Sequence, residues 1–183
     1  MNRHRTLASL AVFLLGLPLA ADAATVAFSP ADSSQLPGAS FTLDLVGTGF
    51  DAGILDGGGV NISFDPTVVI VTGVTVNTAE WEFFSDPGFV DNNAGSVTGV
   101  MFNSFADRSG SLQFATVSFL AVGLGVSALG LSEYALNPFT SGAGGYPGLV
   151  LSQAGSVAVV PLPPAVALLF SSLAALVTLR RRR

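Results

Sequence analysis

Two glutamates flank the chain's one tryptophan, Glu80-Trp81-Glu82, and a carboxylate pair beside an aromatic ring is the smallest kit for glycoside hydrolysis. That chemistry needs the two carboxyl groups to face each other across a sugar at about 5 to 9.5 Å. Residues two apart on a strand share a face but stand too close for this, and on a helical turn they diverge. A solvated acidic edge around a packed tryptophan is the simpler expectation, and Asp86 with Asp91 is weighed the same way. Other catalytic routes lack their groups. The single histidine is His4, and the chain has no Cys and no Lys. Beyond the first two dozen residues there is thus no imidazole, thiolate or amine to move protons near neutral pH. Triads, Schiff bases, disulfides and zinc sites built on histidine or cysteine are excluded together.

Carboxylates remain, and their distribution selects partners. Between Ala24 and Val160 one cation, Arg108, stands against eleven acidic residues, a net charge of −10. Such a body repels nucleic acid. Calcium is its natural inorganic partner, because hard oxygens and turns are all that ion requires. Asp51, Asp56 and Asp65 lie around a glycine-rich loop expected over 47–59, and Asp86, Asp91, Asn92 and Asn93 around a second loop. Neither has the alternating ligands and terminal glutamate of an EF-hand, and Asp or Asn beside Gly or Pro is first of all a turn former. No cofactor is therefore expected, with calcium as the open option. For a glycan, flat rings exposed on a rigid sheet would stack on pyranose faces, and Trp81, Tyr134 and Tyr146 are the candidates. Against this, Trp81 and Tyr134 suit half-buried lids over a core, and Tyr146 stands in a loop of glycines. Asp107-Arg108 reads as a local turn pair.

These residues sit in a body bracketed by two apolar segments. At the amino end Arg3, His4 and Arg5 precede an apolar run over 7–17, followed by Ala21-Asp22-Ala23 as a small-x-small cleavage pattern. Residues 1–23 thus read as a secretory signal peptide cut by signal peptidase after Ala23. At the other end Val160-Pro161-Leu162-Pro163 leads into an uncharged run over 165–179, closed by Arg180, Arg181, Arg182 and Arg183. The sixteen residues from Pro164 make about 24 Å of helix, slightly short of the roughly 30 Å hydrocarbon core. The arginines would hold that end in the cytoplasm by the positive-inside rule, leaving the body outside. Pro-x-Pro, one apolar helix and an arginine cluster, in that order, resemble the tripartite tail of PEP-CTERM proteins. The resemblance covers about the last two dozen residues, with Leu162 where the family has glutamate. It implies an exosortase, a membrane cysteine protease of exopolysaccharide-making Gram-negative bacteria, as the processing partner. It further implies an inner-membrane intermediate and a final place in the envelope, on the outer surface or in the extracellular matrix. A plain carboxy-terminal membrane anchor is the alternative.

The body itself, 24–158 with the tail taken as 159–183, has period-two alternation punctuated by turn residues, the signature of strands. Phe41, Leu43 and Leu45 alternate with polar residues, as do Val60, Ile62 and Phe64 before Asp65-Pro66 stops the strand. Further strands are expected over 26–28, 68–76, 97–102, 112–122, 125–131 and 156–160. The long one changes phase, which predicts a bulge near Ala115. Residues 78–84 break the alternation and predict either a helical turn or a crossover. Eight or nine short strands and twelve phenylalanines between 24 and 160, read as mostly core filling, predict an all-β two-sheet sandwich.

The order of pieces also resembles a cohesin-type domain. The matching residues are Ser40-Phe41-Thr42-Leu43-Asp44-Leu45, then Gly59-Val60-Asn61-Ile62-Ser63-Phe64-Asp65-Pro66 with the Val-rich strand after it, and Phe114-Ala115-Thr116-Val117-Ser118-Phe119. The resemblance implies a cohesin-like sandwich and, as one class of partner, a dockerin-like protein supplied by another chain. The resulting expectation is a secreted, exosortase-sorted, non-enzymatic protein acting by adhesion. A polysaccharide-binding module is the alternative, and a carboxylate hydrolase comes third.

Overall fold

Alternation decides the architecture, because each strand has one face that must leave water and a second sheet is what can cover it. The computed structural model describes residues 23–50, 55–142, 144–146, 148–151 and 153–161. The cleavage residue Ala21, the loop residue Asp51, and the tail residues Leu162, Pro163 and Arg180 to Arg183 lie outside the described residues, as do both apolar runs. Among the described residues no helix is long and apolar enough to cross a membrane.

Among the described residues there are fourteen strands, in chain order β1 Thr25–Ser29, β2 Asp32–Gln35, β3 Ser40–Thr48, β4 Leu55–Ser63, β5 Val69–Val76, β6 Phe84–Asp86, β7 Phe89–Asp91, β8 Ser96–Arg108, β9 Leu112–Ala121, β10 Gly125–Glu133, β11 Thr140–Ser141, β12 Gly144–Gly145, β13 Val150–Leu151 and β14 Gln153–Val159. Sheet A has the order β13-β1-β3-β9-β5. Sheet B runs β12-β11-β4-β10-β14-β2, with β8 on the other side of β4 and both β6 and β7 paired to the outer edge of β8. The first two and the last two strands each change sheet. The step from β1 to β2 passes through a cis Ser29-Pro30 bond, and the step from β13 to β14 likewise crosses from sheet A to sheet B, so that β1 pairs parallel with β13 and β2 parallel with β14.

The eight segments read from alternation are all strands. Phe114 and Ala115 are both buried, and the β3–β9 register slips from Leu45↔Ala115 to Val46↔Gln113, so the expected bulge lies there. One expectation needs correction. The stretch 47–59 is not one loop, since Asp56 and the three following glycines are in β4. The break over 78–84 is a turn followed by a crossover, as either reading of it required. Asn77 accepts from the N–H groups of Glu80 and Trp81 at 3.1 and 3.0 Å in a single turn, and the chain crosses from β5 in sheet A to β6 in sheet B.

The core is aromatic at its centre. Trp81 packs at 5.1 Å from Phe102 of sheet B and 5.4 Å from Phe114 of sheet A, and those two phenylalanines stack on each other at 4.3 Å. Phe28, Phe50, Phe119 and Phe139 extend the layer. A strand of three consecutive glycines makes the packing possible: a Cβ on Gly58 would enter the ring of Phe139.

Candidate functional site

The exposed aromatic residues gather at one edge of sheet B, where the β8 ladder loses its register. Between the pairs Gly57↔Asn103 and Leu55↔Arg108, residues 104–107 of β8 stand opposite Asp56 alone. An excursion of this size bends the strand and redirects its side chains. Ser104 keeps the inward slot and is buried, while Phe105 turns outward and is 78% exposed.

The neighbouring segment supplies the rest. Phe83, 57% exposed, lies with its ring 4.3 Å from that of Phe105, centroid to centroid. Phe84 opposite Asn103 and Phe89 opposite Thr98 continue the outward row, and both are exposed. The remaining phenylalanines between 24 and 160 are buried or half-buried.

A polar clamp holds the pair. Ser104 Oγ donates to the Glu82 carboxylate at 3.1 Å, the Phe105 N–H donates to it at 3.3 Å, and Arg108 closes an ion pair at 3.0 Å. Arg108 Nε also donates to Ser104 Oγ at 3.2 Å. Hydrogen bonds from its own backbone N–H and from Ser104, Arg108 and Phe105 outweigh desolvation and hold the Glu82 carboxyl below its ordinary range. Exposed as it is, the pair adds little stability; its effect is to set the loop before β6 against the excursion. The same carboxyl is poorly suited to be a general acid, which requires a raised pKa. Beside it, burial together with the hydrogen bond and charge of Asp107 raises the Asp56 carboxyl.

The glycan-stacking trio is corrected by burial. Trp81 is 0% exposed and its Nε1 donates to the Gln113 carbonyl at 2.9 Å, so its ring is core. Tyr146 packs 5.0 Å from Phe50 against the core. Tyr134 lies across Gly59 and Gly99 on the outer face of sheet B, half-buried. The three do not form an exposed row. Gly99 takes a φ of +76° where β8 bulges, and its bare backbone leaves room for the Tyr134 ring.

The carboxylates proposed for calcium cap turns. Asp65 accepts from the Thr67 hydroxyl and N–H at 2.6 and 2.9 Å, which holds its carboxyl below the ordinary range. Asp86 accepts from Gly88 N–H at 2.8 Å, and Asp91 from Asn93 and Ala94 at 2.9 and 3.0 Å. Asn92 spans the sandwich, accepting from Val71 N–H and donating to Val71 C=O. Among the described residues no group of three or more acidic, histidine or cysteine side chains is placed to hold a metal.

Composition alone hides the aromatic edge, because most phenylalanines of this body are core filling. One signal was available. Continuing the alternation of Val100 and Phe102 places Ser104 inward and Phe105 outward.

No protein-family model and no curated protein matches the chain. Solved structures of cohesins do. CaCohA2 from Clostridium acetobutylicum is 15% identical with a TM-score of 0.61, the match covering 78% of this chain and 94% of that one. The non-cellulosomal cohesin of the archaeon Archaeoglobus fulgidus is 15% identical with a TM-score of 0.57, over 79% and 96%. The cohesin of a type I cohesin–dockerin complex from Clostridium thermocellum is 12% identical with a TM-score of 0.58, over 76% and 100%. At such identities the likeness establishes the fold, an all-β cohesin-like sandwich, and leaves function to the site.

Proposed function

We propose that this chain is an exported, non-enzymatic binding protein whose body docks a protein partner on the outer edge of β6, β7 and β8. The observation that carries this is the exposed phenylalanine row, with Phe83 and Phe105 in ring contact and clamped from below by Glu82, Ser104 and Arg108. Exposed aromatics on a rigid platform supply large contact area at low entropic cost and mark interaction sites. Several neighbours were solved in complex with dockerins, which supports a dockerin-like module on another protein as the partner class. The tail pattern from Pro161 to Arg183 supports sorting by an exosortase to the envelope or exopolysaccharide matrix. The body then acts as an adhesion module there. A polysaccharide ligand is the second reading, favoured by the openness of Phe105, whose face would accept a pyranose ring.

The test compares the full chain with a Phe83→Ser/Phe105→Ser variant on immobilised dockerin modules and on a glycan array. Binding to a protein module that the variant loses supports the proposal. Binding to glycans that the variant loses moves the assignment to the second reading. Ligand binding indifferent to both substitutions, or hydrolysis of any glycan by the wild type, overturns the site.

A further inference from the structure

At the end of the sandwich where the chain leaves toward its tail, the outer face of sheet B is apolar and open. β14 lies between β10 and β2, with Val159 opposite both Gly125 and Gln35. One step further, Val160 N–H donates to the Gln35 carbonyl at 2.9 Å, so Leu36, Val160 and Leu124 form a row across the three strands. Val126, paired with Ala158, stands in the next row. Val122 joins them from the β9–β10 turn. Leu124 and Val126 are 61% and 65% exposed, and Leu36, Val122 and Val160 are exposed as well. The stretches that build the patch, 33–40, 120–131 and 155–161, contain no charged residue in a body of net charge −10, and Asp32, which borders it on β2, accepts from Ser156 Oγ at 2.7 Å. Asp65, which reaches this end through its N–H bond to Ser127 Oγ, has its carboxylate engaged by Thr67.

The chain itself says what covers the patch. Val160 is part of the row, and the uncharged run 165–179 starts five residues later, at most about 17 Å away. We propose that this patch rests on the surface of the phospholipid bilayer that holds the tail, seating the body upright with the aromatic edge of β8 facing away. The proposal rests on the reading of the tail as membrane-spanning. Few apolar side chains bind a bilayer weakly on their own. Tethering makes that sufficient, because the tail turns docking into an intramolecular step at high effective concentration. An acidic body with an uncharged foot selects zwitterionic lipid and is repelled by anionic lipid.

Lack of cysteine makes the test clean. Full-length chain with Val126→Cys, labelled with an environment-sensitive fluorophore, is reconstituted in phosphatidylcholine vesicles. A Ser109→Cys chain labels the opposite end of sheet B as reference. Flotation reports whether the tail inserts. Spin-labelled lipid and aqueous iodide report where the probe lies. The expected result is blue-shifted emission quenched by lipid at 126, fully aqueous emission at 109, and loss of the difference when Leu36→Ser and Leu124→Ser are added. If the chain floats but the probe at 126 is as open to iodide as that at 109, the docking proposal fails and the tail reading stands. If the chain does not float, the tail reading fails and docking with it. Shielding from both quenchers shows a second copy or the tail itself on the patch and also overturns the proposal.

Discussion

Asn92 shows how much one side chain can do at an open edge. β5 is the last strand of sheet A, and the Val71 N–H and C=O point away from that sheet. The Asn92 carboxamide satisfies both at 2.8 and 2.9 Å from the turn between β7 and β8, joining the two sheets where no strand does. Replacing Asn92 with alanine should cost about 1 to 3 kcal/mol in urea denaturation, since two half-buried backbone groups lose their partners. Aspartate at the same position keeps only the acceptor and should fall between. Asp56 provides a pH test with the opposite sense to the usual carboxylate. Its pKa in the folded protein is raised above 3.8 by burial and by Asp107. The folded state therefore holds that proton more tightly than the unfolded chain, and the group's contribution is most favourable in acid and is lost as pH rises through the raised value. Asp56→Asn should raise the Tm at neutral pH, and the gain should vanish when thermal denaturation is repeated below about pH 4. A gain independent of pH would contradict this account.

At the scale of elements, β4 is central because it is nearly bare. It pairs with β8 on one side and with β10 and β11 on the other, and its glycines admit Phe139 from the core side and Asn103 and Tyr134 from the solvent side. Gly58→Ala should therefore destabilise the fold by about 1 to 3 kcal/mol, the cost of overpacking against a ring that cannot move aside. Gly73 in β5 is the control. A Cβ there meets nothing within 4 Å and its φ is not positive, so Gly73→Ala should be neutral or stabilising by about 0.5 to 1 kcal/mol. Equal effects at the two positions, measured by chemical denaturation, would mean that general strand propensity rather than packing governs β4.

For the whole molecule, Trp81 reports on cooperativity. It touches Phe102 of one sheet and Phe114 of the other, so it can become exposed only when the sheets part. Its emission should be blue-shifted and insensitive to iodide in the native state. Unfolding followed by that emission should coincide with unfolding followed by far-ultraviolet circular dichroism, as expected of one core. Trp81→Ala should cost about 3 to 5 kcal/mol, and any accompanying loss of ligand binding should scale with the unfolded fraction. Loss of binding in a variant that stays fully folded would return Trp81 to the site.

Local pattern alone was enough for the eight long strands, the bulge at Phe114-Ala115 and the all-β class, because alternation and phase are properties of neighbouring residues in the chain. The same holds for the exclusion of histidine, cysteine and lysine chemistry, which is composition. Short edge strands such as β2, β6 and β7 carry no such pattern: Asp32–Gln35 is entirely polar or small and is a strand only because β14 runs beside it. Asp56, expected in a loop, was drawn into β4 by its ladder with β8. The exposed aromatic edge depends on more than alternation. Phe102 and Phe105 are the same residue type three positions apart, and alternation puts one in the core and the other outward; what tertiary structure adds is the β8 excursion opposite Asp56 and the Phe83 ring that meets Phe105 there. That excursion is held by Glu82 and Arg108, residues 26 apart in the chain, and pairing over such distances is set by tertiary packing rather than by any local signal.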